Sequence, residues 1–288
     1  MAAQSNAGTY QKIVENEWVS SDTVESWARW HDKLTIQGKA ITERLATHAR
    51  IRPGMRVLDL ACGTGDPAIS LARMVGSKGR VTATDLSAGM VDVARANASR
   101  SGTLNIDFRQ ADMQALPFAD ASFDAVTSKI GIMYAVDLPK AVSEIRRVLN
   151  PGGRMAFAVW GPPDQGSYLG FVLGRFFARR VPEPPPPDMP FPLRFAAMGS
   201  LGEALRAAGP PSVEEETVVL PLPWPGSPEE VWVQFYDVAV PMRPYIDSFS
   251  KEERAAAFKE ALAMLPPNRI ADFTELTVAM NFASASRW

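Results

Sequence analysis

The most constraining feature of this 288-residue sequence is a short apolar run that ends in a glycine-rich turn. Residues 56–61 read RVLDLA, residues 62–65 read CGTG, and residues 66–75 follow with apolar side chains at helical spacing. A short apolar run bounded in this way is typical of a strand buried in a parallel sheet. Pro67 suits the first turn of the following helix, where its fixed φ and missing N–H are tolerated. The sequence therefore predicts a strand, a tight turn and a helix in succession.

The same alternation of strand and helix continues to residue 160. Further strands are predicted at residues 80–84, 105–109, 123–128 and 154–160, and helices at residues 87–99 and 138–149. Strands that alternate with helices at this spacing form βαβ units and a doubly wound parallel sheet. Two later runs with alternating apolar residues, 213–220 and 274–283, predict the last two strands. The predicted fold class is therefore α/β, with a doubly wound, Rossmann-like sheet of seven strands and helical cap insertions.

The segments outside this core predict a helical cap. Residues 22–49 have the spacing of a helix, and residues 182–192 hold seven of the 24 prolines, which favours an extended connector. Ser227 and Ser250 each precede a glutamate by three residues, which is the pattern of a helix-capping box. We therefore divide the chain into an N-terminal helical cap segment, a core, a proline-rich linker or lid, the end of the core, a helical cap insertion and the last core strand, at residues 1–50, 51–161, 162–198, 199–224, 225–270 and 271–288.

Composition excludes several classes of function. Thirty basic and 32 acidic residues give a net charge of −2, so a nucleic-acid partner, which needs many phosphate contacts, is not expected. Cys62 is the only cysteine and His31 and His48 are the only histidines, so neither a disulfide nor a metal site is predicted. The first ten residues lack the pattern of a secretory signal. No apolar run reaches the roughly 18 residues that cross a bilayer, so we expect a cytoplasmic protein without stable membrane insertion.

The helix predicted at residues 171–181, FVLGRFFARRV, has two possible interpretations. It is either an ordinary lid helix or a helix that touches a membrane, with Arg175 and Arg179 opposite a phenylalanine face.

Acidic residues follow three of the predicted strands. Gly63 and Gly65 let the backbone approach a ligand closely, and the helix that follows offers free N–H groups. Asp85 ends the second strand, 20 residues beyond Gly65, where a carboxylate can accept both hydroxyls of a ribose. Asp112, after the third strand, can accept from an adenine amino group while a backbone N–H binds the ring edge. These positions predict a cofactor that contains a nucleoside.

The glycine loop alone also fits a dinucleotide cofactor. Gly63-x-Gly65-x-x-Ala68 matches the looser dinucleotide fingerprint, which would make the protein an NAD(P)-dependent reductase. However, we expect Asp66 at the helix start to repel a pyrophosphate, whereas an ammonium and a sulfonium suit an acidic mouth that includes Asp59. The chain also lacks the Tyr-x-x-x-Lys pair of many such reductases.

Four segments in order, VLDLACGTGDPA, TDLSAGM, ADMQALPFADASFDAV and EIRRVLNPGG, carry a family resemblance. Over roughly residues 36–161 the chain resembles the class I S-adenosylmethionine-dependent methyltransferases, in particular the UbiE-like branch (methyltransferase type 11) that includes quinone methyltransferases. The resemblance implies that S-adenosyl-L-methionine is the cofactor and that residues 51–161 form the core that binds it. The positions that it assigns to cofactor binding are Asp59, Ala61, Gly63, Thr64, Gly65, Asp85, Leu86, Met90, Asp112, Met113 and Lys129.

The expected reaction is methyl transfer to oxygen or carbon of a small aromatic, quinol or prenylated metabolite by in-line displacement. Twenty of the 26 aromatic residues lie outside residues 55–160, which favours a ring-shaped or isoprenoid substrate under the cap. The candidate catalytic residues are His31, as a general base or alternatively a packed histidine, and Tyr134, at the transfer site or in the core. A protein of the same fold that binds the cofactor without catalysis remains a second hypothesis.

Overall fold

The computed structural model describes residues 2–186, 188–265 and 273–288, and its centre is a mixed sheet of seven strands. The strand order is β3-β2-β1-β4-β5-β7-β6. The first five strands pair in parallel, and β7 runs antiparallel to both of its neighbours. The strands are β1 Arg56–Leu60, β2 Arg80–Asp85, β3 Ile106–Gln110, β4 Phe123–Lys129, β5 Leu149–Trp160, β6 Glu214–Pro221 and β7 Thr277–Ser286. The predicted doubly wound α/β fold is confirmed.

Twelve α-helices occur in the described parts of the chain. Three precede the sheet: α1 Ala2–Val19, α2 Ser21–Gln37 and α3 Lys39–His48. The helices that connect the first five strands are α4 Ala68–Val75, α5 Ala88–Arg100 and α6 Leu138–Val148. The later ones are α7 Ser167–Val172, α8 Gly174–Arg179, α9 Ser200–Ala207, α10 Pro228–Val238, α11 Arg243–Asp247 and α12 Lys251–Leu262. None of these described helices is long and apolar enough to cross a membrane.

Several predicted elements have different bounds in the structure, and the fifth strand begins at Leu149, five residues earlier than predicted. The single helix predicted at residues 22–49 is divided at Gly38 into α2 and α3. A Cβ at Gly38 would lie 3.1 Å from the Leu34 carbonyl oxygen and 3.2 Å from Lys129 Nζ, so the close packing favours glycine at this position. The predicted helix at residues 171–181 is instead two short helices, α7 and α8. The last strand begins three residues later than predicted, at Thr277. Residue 1, residue 187 of the linker, residues 266–270 of the predicted insertion and residues 271–272 lie outside the described residues.

The sheet separates two buried apolar clusters. Val57 and Leu58, neighbours on β1, belong to different clusters because successive side chains of a strand point to opposite faces. The cluster that contains Leu58 includes Ile145 of α6, whereas the cluster that contains Val57 also includes Phe235 of α10. The late helices therefore share one continuous core with the sheet.

Contacts between α2 and α10 join the N-terminal helices to the late insertion. The Ser250 capping box forms, with both reciprocal hydrogen bonds to Glu253. At the other predicted box, Ser227 accepts from the Glu230 backbone N–H, but the Glu230 carboxylate accepts from Lys33 at 2.5 Å and from Trp224. Asp237, further along α10, accepts from Arg29 at 3.0 Å and from the Trp30 indole at 2.8 Å in the same way. These contacts join two segments that are far apart in the sequence into one cap.

Glu216 of β6 gives the fold a measurable acid sensitivity. It accepts hydrogen bonds from Arg44 and, at 3.1 Å, from His48, and these bonds lower the pKa of Glu216 from 4.5 to about 2. The unfolded chain keeps the ordinary pKa and so binds more protons between these values, which means that stability is lost as pH falls from about 4.5 towards 2.

We expect Glu216→Gln to flatten this loss in a series of melting temperatures measured across that pH window. Glu43→Gln, which removes an exposed carboxylate of α3 near Lys39, is the control and should keep the wild-type slope. Equal slopes for Glu216→Gln and wild type would contradict the assignment.

Candidate active site

A cavity lies between the carboxyl ends of the parallel strands and the cap helices α1, α2 and α10. Nine of the eleven predicted cofactor residues line it: Ala61, Gly63, Thr64, Asp85, Leu86, Met90, Asp112, Met113 and Lys129. The other two, Asp59 and Gly65, are not among its lining residues. Both predicted catalytic residues, His31 and Tyr134, also line the cavity. The fold thus brings together residues from five separate segments of the chain.

The turn after β1 requires glycine at two points. Gly63 and Gly65 have φ angles of +51° and +113°, a region that side chains other than glycine rarely adopt. A Cβ on Gly65 would also lie 2.8 Å from Ile69 Cδ1, so this glycine lets α4 pack close to the turn. Gly63 serves the cavity, whereas Gly65 serves the packing behind it.

Asp85 fixes this turn from the end of β2. Its two carboxylate oxygens accept from the backbone N–H groups of Gly63 at 2.8 Å and Ser87 at 2.9 Å. Burial raises the pKa of Asp85, and hydrogen bonds from backbone N–H groups oppose that rise. Each oxygen keeps a second lone pair, so the side chain can accept from hydroxyl groups of a ligand while it holds the turn.

Asp59 lies fully buried on β1, behind the glycine turn. Its Oδ1 accepts from the Thr127 hydroxyl at 2.7 Å, and no described residue is a hydrogen-bond partner of Oδ2. Burial raises the pKa of Asp59 to about 7, and the Thr127 bond and the Lys129 charge oppose that rise. A cation bound nearby would favour the ionised carboxylate.

Asp112 is held in place by hydrogen bonds from Gln114, two residues further along the chain. Gln114 donates to it through the backbone N–H at 2.8 Å and through the side-chain amide at 3.1 Å. The same amide bonds to Gln11 of α1, and its oxygen accepts from the Asp137 backbone. Gln114 thereby connects the third strand end to the N-terminal cap, and no motif in the sequence marks it.

Lys129 neutralises the acidic charge that was predicted at the start of α4. It forms an ion pair with Asp66, and both side chains are about nine-tenths buried. The ammonium also donates to the Thr42 hydroxyl at 3.3 Å. The negative charge at the start of α4 is therefore balanced within the protein, so repulsion of a pyrophosphate by Asp66 cannot discriminate between cofactors.

His31 of α2 faces the glycine turn. Its Nδ1 lies 2.9 Å from the Thr64 hydroxyl, and Nε2 has no hydrogen-bond partner among the described residues. Burial lowers the pKa of His31, the charges of Asp32 and Asp66 oppose this, and those of Arg100 and Lys129 reinforce it. The imidazole is therefore neutral at pH 7, as a proton acceptor must be.

Tyr134, in the turn after β4, belongs to an aromatic cluster. Its ring meets Trp18 edge to face with centroids 5.1 Å apart, and Trp18 in turn packs on Trp27 at 5.9 Å. Burial raises the pKa of Tyr134, and the nearby charge of Glu17 adds to that rise. The phenol therefore stays protonated in neutral solution, where it can donate a hydrogen bond but cannot act as a base.

The cap side of the cavity is mostly apolar. Its lining includes Leu34, Ile41, Tyr168, Leu169, Leu173, Leu222, Phe235, Val238 and Met242. Gln234 of α10 and Gln37 of α2 are polar exceptions, and both are buried. No sequence motif marks either glutamine, because each is a single polar residue on an apolar helix face.

Comparisons with known proteins agree with this arrangement. Residues 57–153 match the family described as a methyltransferase domain. The ubiquinone/menaquinone biosynthesis C-methyltransferase UbiE of Marinomonas sp. is 37% identical over 133 residues, which are 46% of this chain and 53% of that protein. The 2-phytyl-1,4-naphtoquinone methyltransferase of Synechococcus elongatus is 40% identical over 128 residues, which are 44% of this chain and 55% of that protein.

The fold also recurs among solved structures. The YcgJ protein from Bacillus subtilis superposes with a TM-score of 0.54 at 21% identity, covering 85% of this chain and 97% of that one. This likeness concerns the fold alone. The chain spans about half the length of the curated relatives that it matches. Within that shared part the motifs, the sheet order and the family match agree: residues 57–153 match a methyltransferase domain and are similar to the UbiE C-methyltransferases.

Proposed function

We propose that the protein transfers a methyl group from S-adenosyl-L-methionine to oxygen or carbon of a small aromatic, quinol or prenylated metabolite. The observation that carries this proposal is one cavity whose strand-end wall is built from the methyltransferase motifs and whose opposite wall is an apolar cap. A cofactor at the strand ends and a hydrophobic acceptor under the cap would share this space. The relatives' names mention quinones, and an aromatic or quinol acceptor is compatible with that chemistry.

The residues present fit this cofactor. Asp85 has free lone pairs that could accept from ribose hydroxyls, and Asp112, which Gln114 holds after the third strand, could accept from an adenine amino group. Asp59 does not line the cavity, but its buried carboxylate behind the glycine turn could favour a bound cation through its charge. When bound, S-adenosyl-L-methionine supplies an electrophilic methyl group. The chain contributes alignment and exclusion of water, which are the main requirements of an in-line displacement.

Calorimetric titration of the full chain with S-adenosyl-L-methionine and with NAD tests the choice of cofactor. We expect saturable binding of the former only, with its competitive displacement by S-adenosylhomocysteine. Binding of NAD in place of S-adenosyl-L-methionine would overturn the proposal and favour the reductase hypothesis. That hypothesis still lacks a Tyr-x-x-x-Lys pair, since Leu138 and Val172 stand four residues after Tyr134 and Tyr168.

Turnover separates an enzyme from a protein that only binds the cofactor. Phenols, quinols and polyketides incubated with methyl-labelled cofactor should include at least one acceptor that becomes labelled in a protein-dependent manner. The neutral imidazole of His31 in the cavity favours catalysis, because it offers a proton acceptor where an acceptor hydroxyl or carbon acid would lie. Tight cofactor binding with no labelled product in any class would favour the non-catalytic alternative.

A further inference from the structure

Unsatisfied polar atoms concentrate around this cavity. In the described parts of the chain, nine buried side-chain nitrogen and oxygen atoms have no hydrogen-bond partner, and six of them belong to residues that line the cavity. These residues are Trp18, Trp27, Thr35, Gln37 and Gln234. Buried polar groups in native proteins are almost always paired, so such a concentration indicates that a ligand supplies the partners.

Gln234 is the extreme member of this group. Its residue is completely buried, and both its Oε1 and its Nε2 lack a partner. It shares the cavity-lining face of α10 with Phe235 and Val238, so its amide lies in apolar surroundings. A buried amide with neither bond made is strongly unfavourable, and an apolar residue of similar size would be better tolerated there if packing were the only requirement.

The unpartnered atoms are mostly donors. Trp18, Trp27, Gln37 and Gln234 each leave an N–H group without an acceptor, whereas Gln234 Oε1 is the one carbonyl oxygen among the unpartnered atoms of the described cavity wall. The Thr35 hydroxyl can serve in either role. A complementary ligand must therefore present several acceptor oxygens and at least one donor. An isoprenoid hydrocarbon would leave every one of these groups unpaired.

The charged side chains that line the cavity already have partners within the protein. Asp66 pairs with Lys129, Asp85 holds backbone N–H groups, and Asp112 holds Gln114. The cap wall around Gln234 contributes neutral side chains. Because an ionised ligand group would be desolvated there without a counter-charge, the ligand at the cap wall must be neutral.

We propose that Gln234 is a specificity-determining residue that binds the methyl acceptor, and that this acceptor is a neutral ring compound bearing carbonyl oxygen and a hydroxyl or N–H group. The inference rests on the proposed function for the identity of the cavity's second occupant. It restricts the class of methyl acceptors from hydrophobic metabolites in general to ring compounds that carry oxygen. The Gln234 amide donates to the carbonyl and accepts from the hydroxyl, while Gln37 and the indole N–H groups offer further donors.

Three neutral bicyclic probes of nearly equal shape test this proposal by calorimetry on the full chain: 6-hydroxy-1-tetralone, 1-tetralone and tetralin. We expect affinity to fall in that order, by about five- to tenfold for each lost hydrogen-bonding group. Gln234→Leu should remove most of this preference and leave the affinity for S-adenosyl-L-methionine unchanged. Gln165→Leu, in the loop between β5 and α7 and not among the cavity-lining residues, is the control and should keep the wild-type order.

Melting temperature without ligand gives a second readout. Gln234→Leu should match or exceed the wild type, because it removes a buried amide that has no partner. If the variant melts lower and still prefers the hydroxytetralone, Gln234 serves the fold through buried water and the proposal is wrong. Equal affinity of the wild type for all three probes would also overturn it. Failure of S-adenosyl-L-methionine to bind would instead contradict the proposed function, and the probe order would still report on Gln234.

Discussion

Asp85→Ala is expected to weaken binding of S-adenosyl-L-methionine by about a hundredfold, because buried hydrogen-bonding groups lose their partner. Asp85 accepts from the Gly63 and Ser87 backbone N–H groups, so its loss frees the glycine turn at the same time as it removes the proposed ribose contact. Calorimetry of the wild type and the variant, at a temperature where both are folded, measures the change.

Asp107→Ala is the matched control for this substitution. Asp107 lies on the adjacent strand β3, and its half-exposed carboxylate pairs with Arg80 away from the cavity. The control should bind the cofactor as the wild type does. An Asp85→Ala variant with unchanged affinity would show that the ribose is not held at the end of β2.

Local sequence pattern predicts the first five strands, because each is a short run with continuous or alternating apolar residues, bounded by turn residues or by a helix. Val57 and Leu58, for example, are buried on opposite faces of β1, as a continuous apolar run predicts. The positive φ angles of Gly63 and Gly65 likewise follow from a tight turn between strand and helix. These features depend on neighbours in sequence, which is why they can be predicted without the structure.

The features that could not be predicted depend on contacts between distant segments. The close packing at Gly38 involves Lys129, which comes from β4, and the balanced charge of Asp66 requires the same lysine. Glu230 has the position of a capping-box glutamate but bonds to Lys33, because α2 packs against α10. In each case the local sequence is compatible with two arrangements, and a contact with a residue far away in the sequence determines which one forms.

His31→Gln is expected to lower kcat/KM by about 10²–10³-fold with an acceptor that carries a transferable proton, since glutamine cannot accept that proton. The structure favours His31 over Tyr134 for this role. Burial keeps the imidazole neutral and keeps the phenol protonated, so the imidazole is the group of the two that can act as a base near pH 7. Thr64 orients the ring through Nδ1, which leaves Nε2 available for the acceptor.

The pH profile distinguishes a base from a residue that only packs. Protonated His31 cannot accept a proton, so wild-type kcat/KM should rise with pH through a value below 6.5, the ordinary histidine pKa, and then level off. In His31→Gln this rise of kcat/KM on the acid side of the profile, the acid limb, should disappear. His48→Gln removes the other histidine, which bonds to Glu216 outside the cavity, and should keep the limb. A His31→Gln variant with wild-type kcat/KM and an intact limb would mean that no base is required. The site would then act by alignment alone on a neutral acceptor from which no proton has to be removed before methyl transfer, and His31 would serve only to pack against Thr64.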